Sequence, residues 1–403
     1  MNIDNLVLHP VAGFYLGATA AKIKKSGATD LVIMELAEGS VTAATFTQNA
    51  FCAAPVTLAK AHLNSVAPRA LIINSGNANA GTGEQGMLDA VKSCEWVAKE
   101  LGCKVNQVLP FSTGVIGENL PMEKLHVGIP AAMANMSVSG WSEACKGIMT
   151  TDLVPKTVSK VVDIDGHSVT ITGISKGSGM IHPNMATMLG FVATDARINQ
   201  ACLQQCLTDA VNLSFNRITV DGDTSTNDAC TLTATQQADM PLIDSVDSAA
   251  YKAFAEEINQ VMTDLAQMII RDGEGATKFV SIIVEGGNSK QECLQVAHAV
   301  ALSPLVKTAL FASDPNWGRI LAAVGRSGID ALDVNILKIY LGDVCIVENG
   351  GRALTYTEEA GQAVMNETDI TILIQLNRGS HSETVWTTDF SYDYVKINAE
   401  YRS

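Results

Sequence analysis

The chain has 403 residues, is 47% hydrophobic, and carries 42 acidic against 27 basic side chains for a formal charge of −15. That length can bury a large core and suggests two or three domains, while the acidity argues against nucleic acid and anionic membranes as partners and leaves small molecules. Nine cysteines without a Cys-x-x-Cys pair, and seven isolated histidines, read as buried thiols in a reducing compartment with no metal site, and no cofactor is expected.

The N-terminus, Met1-Asn2-Ile3-Asp4-Asn5, lacks a basic region before an apolar run, and no segment reaches the roughly 18 apolar residues of a membrane span, so a cytoplasmic location is expected. Residues 31–47 and 70–74 read as strands. The second enters a glycine-rich loop, 75–83, that lacks a Gly-Lys-Ser/Thr ending and so reads as a tight turn rather than a phosphate loop. A helix follows, with Met87, Val91, Cys94, Ala98 and Leu101 on one face and Gly102 as its stop. Val105 to Phe111 reads as a strand that breaks at Ser112-Thr113-Gly114, on residue type a plain strand-end turn, though glycine there could also free the backbone to aim N–H groups at a developing oxyanion.

Helical stretches over 129–149 end in Thr150-Thr151-Asp152, which on residue type alone is helix-end chemistry. Strands 157–164 and 167–174 are joined by Asp165-Gly166, a two-residue hairpin signal. After a helix over 199–213 and a strand over 217–220, the Asp/Thr/Ser-rich loop 221–228 lacks the terminal glutamate of a calcium loop. A long helix over 248–271 ends in Asp272-Gly273-Glu274-Gly275, whose glycines leave the Glu274 carboxylate uncrowded. Strand 278–284, helix 289–303, strands near 336–347 and 369–376 and a polar tail complete an α/β or α+β pattern with mixed sheets.

The chain is organised around Ile181-His182-Pro183-Asn184-Met185-Ala186-Thr187-Met188. Pro183 and Asn184 deliver an extended, constrained Ala186-Thr187 step. A threonine at the head of a chain can pass its hydroxyl proton to its own α-amine, whose pKa of about 7.7–8.0 suits a base at working pH. Exposing that amine requires a cut between Ala186 and Thr187, which Thr187 can make by attacking the Ala186 carbonyl. On residue type alone the pair reads as an ordinary strand start.

His182-Pro183-Asn184-Met185-Ala186-Thr187-Met188-Leu189 resembles the self-cleavage signature of the ornithine acetyltransferase family. The likeness runs nearly end to end through Ser112–Gly117, Thr150-Thr151-Asp152, Lys176–Met180, Asp223–Asp228, Gly273–Lys278 and Asp314–Arg319, in family order. The resemblance implies a four-layer αββα sandwich of the N-terminal-nucleophile type, with a smaller C-terminal domain from about residue 280. It implies self-cleavage into segments 1–186 and 187–403, associating as a heterotetramer of two each. Acetyl would pass from N2-acetylornithine through Thr187 to glutamate, with acetyl-CoA as a possible second donor. Thr113 and Gly114 would form the oxyanion hole, and Thr150, Lys176, Thr187, Glu274, Asn398 and Ser403 would contact substrate. Two other classes compete with the transferase: an N-terminal-nucleophile aminopeptidase or amidase passing the acyl group to water, and a nucleotide-binding regulator using loops 75–83 and 176–180.

Overall fold

The computed structural model describes residues 7–24, 27–182 and 188–401, so Ala186, Thr187 and Ser403 lie outside the described residues. The chain divides into two units, one formed by 1–216 with 223–269 and the other by 217–222 with 270–403.

The first unit is built on two sheets. One has the order β1-β2-β4-β5, from β1 (Phe14–Thr19), β2 (Leu31–Leu36), β4 (Ala70–Asn77) and β5 (Val108–Val115). The other has the order β3-β10-β8-β7-β6, from β3 (Val41–Phe46), β6 (Lys156–Ile164), β7 (His167–Lys176), β8 (Leu189–Thr194) and β10 (Ala229–Ala234). Successive side chains of a strand face opposite ways, and in β2 both faces are apolar. Val32, Met34 and Leu36 join Phe111 of the first sheet and Ile174, Leu189 and Phe191 of the second in one core, where Phe111 meets Phe191 edge to face at 5.2 Å. Leu31 and Ile33 point the other way, into a core with α2 (Gly83–Leu101) and α3 (Met122–Ala134).

Helices α1 (Ala54–Ser65) and α4 (Trp141–Ile148) complete the first sheet's side. The second sheet is backed by α5 (Gln200–Leu213) and α6 (Ala249–Arg271), and Gly173 of β7 leaves room for Val261 and Leu265 of α6. The result is the expected four-layer sandwich with mixed sheets.

In the second unit a seven-stranded mixed sheet has the order β14-β13-β12-β15-β11-β16-β9. Its strands are β9 (Ile218–Thr219), β11 (Phe279–Gly287), β12 (Lys338–Leu341), β13 (Val344–Glu348), β14 (Gly351–Arg352), β15 (Asp369–Gln375) and β16 (His381–Thr388). Ile282, Val284, Ile339, Ile372 and Ile374 of this sheet pack with α7 (Lys290–Ala301), α8 (Pro304–Phe311), α9 (Trp317–Gly325) and α10 (Glu358–Met365). The unit ends with α11 (Tyr392–Ala399), capped by Ser391.

Several sequence expectations are corrected. The single strand over 31–47 is two strands in different sheets, because Gly39 at φ 85° turns the chain between β2 and β3. Residues 105–107 form a 3₁₀ turn, and the strand continues past Phe111 to Val115 because its pairing with β4 runs on through Asn77. The helical stretches over 129–149 are α3, which begins earlier at Met122, and α4, parted at 135–140 where Ser137 pairs with Leu16 of β1. The polar tail is ordered as β16 and α11. The Asp165-Gly166 hairpin stands as expected, with both residues at positive φ, 54° and 83°.

Candidate active site

The oxyanion candidates lie within β5 rather than at a break after it. Thr113 pairs with Ser75 and Gly114 with Gly76 of the parallel strand β4. A Cβ on Gly114 would sit 2.3 Å from the Gly76 carbonyl carbon, and its φ of 135° suits glycine alone, so the two backbones touch only because Gly114 has no side chain. Behind this contact Ser112 Oγ donates to Asn74 Oδ1 at 2.6 Å, and Asn74 Nδ2 donates to the Asn77 carbonyl at 2.8 Å. Asn77 in turn fixes Asn79 and the 118–119 turn. The 75–83 loop is thus a polar scaffold for Thr113 and Gly114.

Lys176, at the end of β7, donates from Nζ to Thr113 Oγ1 at 3.2 Å. In register it stands opposite Leu189, the first residue of β8 and two residues beyond Thr187. On the other side of Leu189 stands Ala229 of β10. Met188 is held through both backbone groups: its carbonyl accepts from Ala229 N at 3.1 Å, and its N–H donates to the Asp228 carboxyl, which also accepts from Ser225. Complete burial pushes the Asp228 carboxyl well above the usual carboxylate range, against those hydrogen bonds and the attraction of Lys176.

Thr150 joins the group through Asp152. One carboxylate oxygen of Asp152 accepts from Thr150 N at 2.9 Å, and the other accepts from Gly177 N at 2.7 Å and Lys156 Nζ at 2.7 Å. The Asp152 and Lys156 side chains are 0% and 1% exposed, so solvent screens none of this. Burial raises the Asp152 pKa, but Lys156, Lys176 and the Gly177 N–H outweigh it and hold the carboxyl well below the usual range. Thr151 and Ser178 share a further hydrogen bond at 2.7 Å. Thr113, Gly114, Thr150 and Lys176 are therefore brought together, beside the point where the chain enters β8.

In the second unit, Glu274 is buried in the turn after α6, where Asn398 Nδ2 donates to its Oε2 at 2.8 Å. Gly275 permits this turn, since a Cβ there would lie 2.5 Å from both Ser391 Oγ and Tyr394 N at the start of α11. Asp389 secures the other side, accepting from Thr277 N and Lys278 N at 2.8 and 2.9 Å. Below it Lys307 is wholly buried, donating to Thr387 Oγ1 at 2.8 Å and to the Thr388 carbonyl. Burial pulls its ammonium down to about 7, against the pull of Asp389 and Asp221.

Sequence reasoning missed the parts played by Asp152 and Asp228. Both stand in quoted stretches, Thr150-Thr151-Asp152 and Asp223–Asp228, yet residue type alone suggested only capping and loop order. Among the described residues no group of three or more His, Cys, Asp or Glu side chains could hold a metal ion, and no single helix is long and apolar enough to cross a membrane.

Comparison with known proteins places the chain among relatives. The model of the ArgJ family matches residues 15–403. The arginine biosynthesis bifunctional proteins ArgJ of Pseudomonas syringae pv. tomato and Pseudomonas fluorescens are 57% and 56% identical over 396 residues, 98% of this chain and of each relative. Among solved structures, an arginine biosynthesis bifunctional protein ArgJ from Bacillus halodurans is 38% identical with a TM-score of 0.50. That likeness covers 52% of this chain and 98% of the solved one.

Proposed function

The chain belongs to the ArgJ family, and from that premise we propose that it is an ornithine acetyltransferase of arginine biosynthesis that cuts itself between Ala186 and Thr187 and then carries acetyl on Thr187. In the cut, the Thr187 hydroxyl attacks the Ala186 carbonyl and water hydrolyses the ester, leaving segments 1–186 and 187–403 associated, as two copies of each. In the first half-reaction the freed α-amine takes the hydroxyl proton as Oγ attacks the acetyl carbonyl of N2-acetylornithine. The amine returns that proton to the departing ornithine nitrogen. In the second, the glutamate amine attacks the acetyl ester, and Thr187 regains its proton as N-acetylglutamate leaves. Both half-reactions and the cut pass through a tetrahedral oxyanion, for which Thr113 and Gly114 are the donors.

Lys176 meets the carboxylate of the amino-acid head common to both substrates, with Thr150, Asn398 and Ser403 adding hydrogen bonds. Glu274 meets the ornithine ammonium. Acetyl-CoA, as a second donor to glutamate, would fit the bifunctional name of the Pseudomonas relatives.

The observation that carries the reading is the convergence of Thr113, Lys176 and the Asp152-held Thr150 beside the first residues of β8, two positions beyond Thr187. The Bacillus halodurans chain adds support, since about half of this chain matches nearly all of it, as a segment of a divided precursor would. The test is to incubate pure protein with N2-acetylornithine and glutamate and separate the products. Equimolar ornithine and N-acetylglutamate support the transferase. Free acetate in place of N-acetylglutamate would assign the chain to the hydrolytic alternative.

A further inference from the structure

The proposed reaction sets a problem of charge. Ornithine and glutamate share an amino-acid head but end in opposite charges, so a carboxylate that attracts the ornithine tail repels the glutamate tail. A second cation, distinct from the one that binds the head, would resolve it.

Lys24 is such a cation. Asp30, itself fully buried, accepts from Ala21 N at 2.7 Å and Lys24 N at 2.9 Å, while its own carbonyl accepts from Ser75 N at 2.9 Å. This ties the Lys24 turn to the strand that carries Gly76. The Lys24 stem then crosses Gly76, where a Cβ would lie 3.0 Å from its Cγ, and Gly76 is the residue backing Gly114. The half-buried ammonium donates to the Thr29 carbonyl at 2.9 Å. An ammonium has three donors, and among the described residues the Thr29 carbonyl is the partner that Lys24 Nζ has. Both oxygens of Asp30 serve backbone N–H groups, and Asp152 is committed to Lys156, Thr150 N and Gly177 N. The ammonium nevertheless feels Asp152 and Lys176 directly, and burial pulls it below the usual lysine range. Among the described residues, Lys24, Lys156 and Lys176 against Asp30 and Asp152 leave this part of the site one positive charge in excess, with Asp228 pushed toward its neutral form. A half-buried excess of cation calls for an anion that arrives with the substrate.

We propose that Lys24 is a specificity-determining residue that receives the side-chain carboxylate of the acyl acceptor, so that Lys176 and Lys24 together read a dianionic amino acid. The proposal rests on the acetyltransferase reading and adds the basis on which the acceptor is chosen. Glutamate places one carboxylate on each lysine, and the ornithine tail ammonium is turned away from Lys24 by like charge.

The experiment compares glutamate with glutamine, which has the same shape and an uncharged tail, as acceptors for wild type, Lys24→Met and Lys24→Arg. Each preparation's ratio of kcat/KM for the two acceptors is independent of how much of it is folded, so a partly unfolded variant still gives an answer. Wild type should favour glutamate. Lys24→Met should lower kcat/KM for glutamate about tenfold to a hundredfold, the equivalent of one charged hydrogen bond, with little change for glutamine, so that the preference collapses. Lys24→Arg should keep most of it. A Lys24→Met enzyme that loses both acceptors equally, or neither, would overturn the assignment. A wild type that acetylates neither acceptor would overturn the transferase reading itself.

Discussion

Replacing Asp152 by asparagine tests whether one buried carboxylate holds the site together. The carboxylate accepts two backbone N–H groups and a lysine ammonium at 2.7–2.9 Å, with the pair it forms with Lys156 at most 1% exposed. Asparagine keeps the shape, but one of its two polar ends becomes a donor facing donors, and Lys156 is left as a buried charge without its counter-ion. Removing one partner of a buried ion pair costs about 3–5 kcal/mol. At roughly 2 °C per kcal/mol for a unit of this size, the melting temperature should fall by about 6–10 °C. Thermal unfolding followed by circular dichroism measures this directly.

Because the bonds that break position Thr150 and Gly177, the folded fraction at 20 °C should also show a raised KM for acetylornithine. Acid should act in the same sense on the wild type. The carboxyl is held below its unfolded value, so its contribution is complete above about pH 4 and is lost as pH falls toward the folded pKa. A variant melting within a degree of the wild type, with unchanged KM, would refute the claim that Asp152 organises this part of the site.

Thr113→Ala should slow both the chain cut and the transfer by about 10²–10³, the usual effect of losing one oxyanion donor, as measured by the time course of fragment formation and by kcat. A change confined to the KM for glutamate would be contrary to that role. Glu274→Gln should weaken the acetylornithine half-reaction by about 1.5–3 kcal/mol and the glutamate half-reaction by less, as read from single-turnover rates of each. Lys307 binds its proton less tightly when folded, at about 7 against about 10.4 unfolded, so its contribution makes stability rise as pH goes from 7 toward 10. The stability difference between wild type and Lys307→Met, from urea unfolding, should therefore grow by about 2 kcal/mol between pH 7 and 9. A constant difference would mean that the amine is not held neutral by burial.

The sequence made legible those features that rest on short-range rules. Asp165-Gly166 announces a hairpin because only such residues take two successive positive φ values readily, and Gly102 ends α2 at φ 66° for the same reason. The helices over 199–213 and 248–271 were equally plain. Illegible were features that depend on partners distant in the chain. Val108–Val115 runs through Gly114 because β4 pairs with it, 38 residues away for Asn74 and Ser112.

The strand and the helix of the polar tail gain their order from β11 and the Ser391 cap. Within the site, the family signature picked out Thr113, Thr150 and Lys176, and the structure places them together. Asp152 was visible only as the third residue of a motif, since its importance lies in binding Gly177, 25 residues on. Lys24 had no signal, because the glycine it crosses is 52 positions away and nothing local marks it.

Mass spectrometry of the purified protein under denaturing conditions, before and after acetylornithine, tests the central claim most directly. The account predicts two fragments, 1–186 and 187–403, with an addition of about 42 Da on the second after acetylornithine alone and its removal by glutamate. It also predicts one intact, unacetylated chain for Thr187→Ala. A Thr187→Ala protein cut between residues 186 and 187, or a wild type that transfers acetyl without a labelled fragment, would contradict it.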